Sequence, residues 1–197
     1  MMPSFSRTAR LVVESLGPDT VLIGGLAVAA YGHERATKDV DFLTRLSLQE
    51  ARKRLEARGF SVEVRRGDAQ EGVPTFLRAN VSGTLVDVLP ALVRLDWDHL
   101  PEVVLDGVAV KLIDLDTLIL LKARAGGVQH VLDVAQLIWR HPDRLPLARD
   151  LADRYGVRPR LESCLADRRE RQRYLDSVPR SARARRRAEI DRLIPLP

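Results

Sequence analysis

Two acids, Asp39 and Asp41, flank Val40 in a stretch, Asp39-Val40-Asp41-Phe42-Leu43, that otherwise reads as the start of a buried strand. Strand side chains alternate, so the two carboxylates point to one face while Val40 and Phe42 point to the other. Side by side without a cation they repel, and at least one pKa should rise. A divalent metal removes that penalty. Mg²⁺ suits the position, because it favours carboxylate oxygens, keeps several waters and accepts substrate phosphates in its remaining coordination positions.

Two further features bear on this pair. Asp87 lies between Val86 and Val88 in Thr84–Pro90, a strand with no other polar group nearby, where an acid is costly unless something pairs with it. Gly24-Gly25 ends the apolar strand of residues 19–23 and opens a helix of small residues that stops at Gly32. Without Cβ atoms the backbone can approach a ligand closely, and a helix N-terminus offers N–H groups to an anion. Each feature has an ordinary reading. An Asp-x-Asp on a strand edge is usually solvated, and a lone Asp in an apolar strand usually meets a loop or an Arg. Their combination describes a phosphate cradle facing a metal site.

Periodicity organises the rest of the chain. Residues 5–15 read as an amphipathic helix. Residues 47–59 form a marked helix, with Ser47 as N-cap, Glu50 at the capping-box position and Gly59 as terminator. Residues 60–66 alternate as a strand, and residues 67–74 are a polar loop. Two more strands join around Ser82-Gly83, and a hairpin over 102–112 turns at Asp106-Gly107. From Asp114 the pattern becomes helical. The chain is therefore expected to divide into a mixed α/β unit, residues 1–112, and a helical region with a basic tail, residues 113–197.

Charge is uneven. The net charge is +5, and Arg158 to Arg192 alone carries twelve Arg against six Asp or Glu, leaving the remainder near −1. A basic arm suits an acidic polymer, while a solvated helix surface laced with ion pairs is the plainer account. Arginine outnumbers lysine 28 to 4 throughout, so its choice in the tail says little about phosphate recognition. The single cysteine, Cys164, can form no internal disulfide. No apolar run approaches the roughly 18 residues of a membrane span, and no signal-peptide pattern opens the chain. The expected location is cytoplasmic.

The stretch Ile23 to Leu43, "IGGLAVAAYGHERATKDVDFL", resembles the nucleotidyltransferase signature of the polymerase-β-like superfamily, in the branch of the AbiEii and MenA-type toxins of bacterial toxin–antitoxin systems. The resemblance covers Val21 to about Leu89 and continues more loosely to about residue 138. It implies an α/β (α+β) nucleotidyltransferase fold, a mixed sheet flanked by helices and followed by a C-terminal helical region. It implies Gly24 and Gly25 as the turn over the triphosphate, with Arg35 and Thr37 close to the nucleotide. Asp39 and Asp41 become the metal-binding pair, and Asp87 a third acid that helps activate the attacking hydroxyl. Lys122 matches a lysine near the phosphates or the acceptor, and Asp133 an acid that supports the site. Leu26 stands where the superfamily at large has Ser, and Gly127 and His130 stand where the branch has an Arg and an acid.

The activity so implied is transfer of NMP from an NTP to an acceptor hydroxyl with two Mg²⁺ ions held by Asp39, Asp41 and Asp87. An RNA 3′ end, notably of tRNA, is the first expectation for the acceptor, and a cognate antitoxin is a possible partner. Two alternatives stand beside it. One is a non-catalytic nucleotide-binding or antitoxin-type module. The other is a transferase acting on a protein hydroxyl or a small molecule such as an aminoglycoside, whose acceptor cleft Asp96, Asp98 and Glu102 could line.

Overall fold

Short runs rich in Val and Leu build the central sheet. The computed structural model describes residues 5–67, 75–91 and 93–194. The polar loop expected over 67–74 lies outside the described residues beyond Gly67. Two compact units result, one holding the chain up to Ala30 together with Glu34–Asp114, the other holding Tyr31–His33 and the chain from Leu115 onward.

The first unit contains α1 (Phe5–Leu16), β1 (Thr20–Ile23), α2 (Gly24–Ala30), β2 (Asp39–Thr44), α3 (Leu48–Ala57), β3 (Ser61–Arg66), β4 (Thr75–Val81), β5 (Thr84–Pro90) and a hairpin of β6 (Glu102–Leu105) and β7 (Val108–Lys111). Strands β1–β5 form one mixed sheet in the order β1-β2-β5-β4-β3. Only β2 and β5 run parallel; the other pairs are antiparallel. One face of the sheet is core. Val40, Phe42, Leu77, Ala79, Val86 and Val88 are almost wholly covered there, and α1 and α3 pack against the sheet through Val12, Leu16, Ala51 and Leu55.

Local chemistry sets the boundaries. The Ser47 side chain accepts a hydrogen bond from Glu50 N at 3.1 Å, which supplies one partner the first turn of α3 lacks. Gly59, at φ +80°, ends the helix in a left-handed conformation that other residues adopt at a cost. Both two-residue hairpin turns carry positive φ at both central positions, Ser82-Gly83 and Asp106-Gly107, as the right-handed twist of their strands demands. Helix α2 differs from expectation: it begins at Gly24 itself and ends at Ala30, so the glycines form its first turn instead of preceding it.

The second unit contains α4 (Leu115–Ala125), α5 (Val128–Arg140), a short 3₁₀ turn, α6 (Leu145–Arg154), α7 (Arg158–Leu165), α8 (Arg168–Ser177) and α9 (Arg180–Leu193). Leu118, Leu137, Ile138, Trp139 and Leu161 make its core, and the Trp139 ring stacks on Tyr174 with centroids 5.8 Å apart. Buried Arg171 fastens the last helix, bonding the Ile194 carbonyl at 2.9 Å and the Asp191 carboxylate. No helix among the described residues is long and apolar enough to cross a membrane.

Candidate metal and nucleotide site

A single rung runs across the whole sheet. Ile23 on β1 faces Asp41 on β2, Asp41 faces Asp87 on β5, Asp87 faces Arg78 on β4, and Arg78 faces Glu63 on β3. Residues paired across strands share a face, so this rung puts its charges on the side opposite the core. Asp39 joins them two residues along β2. The parallel pairing of β2 with β5 is thus what brings Asp87 beside Asp39 and Asp41. Each of Asp39, Asp41 and Asp87 offers one oxygen, and these oxygens lie within 4.8 Å of one another.

Asp87 is only 8% exposed and has a partner. Arg78 grips it with both arms of the guanidinium, Nε to Oδ1 at 2.8 Å and Nη2 to Oδ2 at 2.6 Å. That hydrogen-bonded pair holds the Arg78 pKa above its usual range; burial opposes the effect, and the charges of Asp87, Asp39 and Asp41 add to it. Three carboxylates against one guanidinium leave a formal charge of −2, which one divalent cation matches. The donor set is all hard oxygen, the set that Mg²⁺ prefers. The residues therefore fit a divalent ion.

The glycines sit against these acids. A Cβ on Gly24 would stand 2.6 Å from Asp41 Cγ and closer still to its Oδ2, and Gly24 has φ +68°. A Cβ on Gly25 would meet Thr37 Oγ1 at 2.7 Å and lie 3.5 Å from Arg35 Nη1. The Thr37 hydroxyl lies 3.1 Å from the Asp39 carbonyl oxygen and 3.3 Å from Asp39 Oδ1, two acceptors for its one proton. Arg35 donates from Nη1 to the Ala36 carbonyl at 3.0 Å. Gly24, Gly25, Arg35, Thr37, Asp39, Asp41 and Asp87 thus gather in the first unit. Helix α2 has seven residues, too short for a strong macrodipole, so close approach matters more here than the helix end.

Lys122 and Asp133 belong to the second unit, on α4 and α5. They bind each other, Nζ to Oδ2 at 3.0 Å, with both side chains buried, and Gln129 Nε2 donates to Asp133 Oδ1 at 3.3 Å. His130 is half-buried on α5, and Gly127 starts that helix at φ +81°. Asp96, Asp98 and Glu102 are all exposed, and Asp96 pairs with His99 at 2.9 Å.

The basic tail keeps a surplus of positive charge, but many of its arginines have internal partners. Arg158, Arg160, Arg171, Arg173, Arg183, Arg186 and Arg187 all hold internal partners. Arg180, Arg185 and Arg192 form no ion pair with another described residue. Ion pairs among the described side chains therefore account for five of its twelve arginines, Arg158, Arg171, Arg173, Arg183 and Arg186.

Arg78, which binds one of the three acids, was left out by sequence reasoning. A signal existed. Counting outward from a two-residue turn at Ser82-Gly83, Val81 faces Thr84 and Arg78 faces Asp87.

No protein-family model and no curated protein matches the chain. Among solved structures it is similar to ANT(2")-Ia in complex with adenylyl-2"-tobramycin, at 17% identity over 85% of this chain and 95% of that one, with a TM-score of 0.43. It is also similar to JHP933 from Helicobacter pylori, at 10% identity over 90% of this chain and 99% of that one, with a TM-score of 0.39. At these values no residue role or substrate carries over.

Proposed function

We propose that the protein is a divalent-metal-dependent nucleotidyltransferase. In this reading residues 1–112 form the catalytic domain and residues 113–197 a helical region with a basic tail. The observation that carries it is the convergence of Asp39, Asp41 and Asp87 beside Gly24 and Gly25, with a charge that calls for a divalent ion.

Asp39 and Asp41 hold the cation, and Thr37 fixes the carboxylate of Asp39. Gly24 and Gly25 leave the space that β- and γ-phosphates need, and Arg35 above Gly25 meets their oxygens. Asp87, once released by Arg78, takes the proton of the acceptor hydroxyl. The acceptor oxygen bonds to the α-phosphorus, the bond to the bridging oxygen breaks, and pyrophosphate leaves in line. Bound Mg²⁺, as two ions with the nucleotide in place, supplies charge neutralisation and lowers the pKa of the hydroxyl. Lys122 and Asp133 act as one buried pair, in which Asp133 sets where the ammonium stands.

For the acceptor we propose an RNA 3′ end such as that of tRNA, with the toxin role and a cognate antitoxin following from the sequence resemblance. Arg169, Arg180, Arg185 and Arg192, which form no ion pair with another described residue, would meet a phosphate backbone. One observation favours a second reading: the closed Arg78–Asp87 pair suits a module that binds nucleotide without transferring it. Incubation with each α-labelled NTP, Mg²⁺, total tRNA, a protein lysate and an aminoglycoside separates these. Label on RNA that Asp41→Asn abolishes is the expected result. Label on protein or aminoglycoside redirects the acceptor, and nucleotide binding without any transfer sinks the enzymatic reading.

A further inference from the structure

Arg78 has more than one place to be. On its rung it stands between two carboxylates, Asp87 on β5 and Glu63 on β3. Below it, two residues along β4, the Phe76 ring lies 5.6 Å from its guanidinium carbon. Its side chain is 35% exposed while that of Asp87 is 11% exposed, so the arginine has room to move and the acid does not. At present both arms engage Asp87, one on each carboxylate oxygen.

We propose that Arg78 is an internal competitor for the cation. It neutralises Asp87 in the metal-free protein and opposes a cation there by its charge until it moves away from the carboxylate. This rests on the reading of the three acids as a metal site. Asp39 and Asp41 accept the first ion. Asp87 joins when Arg78 swings toward Glu63 across the Phe76 face, or toward the oxygens of an arriving triphosphate, which fit its planar fork as well as a carboxylate does. Arg78 is thus a positioning residue that withholds the third acid until nucleotide is present, which keeps the complete site from assembling on metal alone.

The sign of one measurement tests this. Mn²⁺ binding without nucleotide is read by the electron paramagnetic resonance of free Mn²⁺, for wild type, Arg78→Gln, Arg78→Lys and Asp41→Asn. Removing a competitor tightens binding, and we expect Arg78→Gln to bind Mn²⁺ about tenfold more tightly or more, with Arg78→Lys between it and wild type because Lys keeps the charge but loses the fork. If Arg78 merely holds Asp87 in place for the metal, the same variants bind more weakly. Equal or weaker binding by Arg78→Gln overturns the inference. If Arg78→Gln fails to fold by circular dichroism, the Arg78→Lys comparison decides in the same way. The underlying reading fails separately: it is lost if wild type and Asp41→Asn bind Mn²⁺ alike.

Discussion

Alanine at Gly24 should do two kinds of damage, and alanine at Gly59 only one. Both glycines have positive φ, +68° and +80°, and both lie in the first unit. A Cβ in that conformation costs about 1–2 kcal/mol. At Gly59 nothing lies within 4 Å of the new atom, so that is the whole penalty. At Gly24 the atom would also stand 2.6 Å from Asp41 Cγ, and the Asp41 side chain has to leave its rotamer. A displacement of that kind adds about 0.5–1.5 kcal/mol. Gly24→Ala should therefore lose roughly 1.5–3.5 kcal/mol in all, and for a chain of this size each kcal/mol lowers Tm by about 2–4 °C. The larger difference is in function. Gly59→Ala should bind Mn²⁺ and transfer nucleotide as wild type does, while Gly24→Ala should lose both, because its Asp41 no longer points at the other two acids. Calorimetry, Mn²⁺ titration and label transfer on the three proteins make the comparison. If Gly24→Ala is no less stable than Gly59→Ala and keeps Mn²⁺ binding, the contact between the glycine and Asp41 has no part in building the site.

Other perturbations have defined outcomes. Lys122→Met strands the Asp133 carboxylate in the core and should cost about 3–5 kcal/mol in chemical denaturation; adding Asp133→Leu should recover most of that loss. Burial raises the Glu162 pKa, but hydrogen bonds from Arg149 and Arg158 outweigh it and leave the carboxyl below its ordinary value. The stabilisation from this triad is therefore complete above the ordinary carboxyl range and disappears as pH falls through the depressed value. In acid titrations followed by far-ultraviolet circular dichroism, Glu162→Gln should flatten that part of the curve. Burial pushes the Cys164 thiol up to about 11, and its side chain is 3% exposed. A disulfide reagent at pH 8 should leave it unmodified in the native protein and react promptly once urea unfolds the helical unit.

How far the sequence could be read depended on whether a signal was local. The strand character of Asp39–Thr44, the Ser47 cap and the turns at Ser82-Gly83 and Asp106-Gly107 rest on near neighbours, and they were legible. Strand order was not, since nothing in β2 or β5 alone says that these two run parallel. The grip of Arg78 on Asp87 depends on combining a turn with a register, and an arginine in an apolar strand looks like an exposed side chain until both are applied. A charge count over the tail gave the right total but could not show that Arg171 is buried against Asp191, or that Arg158 and Arg149 share Glu162. Lys122 and Asp133 meet because two helices fold back at Gly126-Gly127, and no periodicity along one helix predicts that pair.

The rung through Ile23, Asp41, Asp87, Arg78 and Glu63 also times the appearance of the site during synthesis. When the ribosome has released β2, Asp39 and Asp41 exist without their third companion; β3 and β4 must emerge before β5 can slot between β2 and β4. That insertion is a late, long-range event, slow compared with closing a hairpin. Until it happens a growing polypeptide carries Gly24, Gly25, Asp39 and Asp41 but not the three-acid cluster, which is complete only when β5 brings Asp87 beside β2.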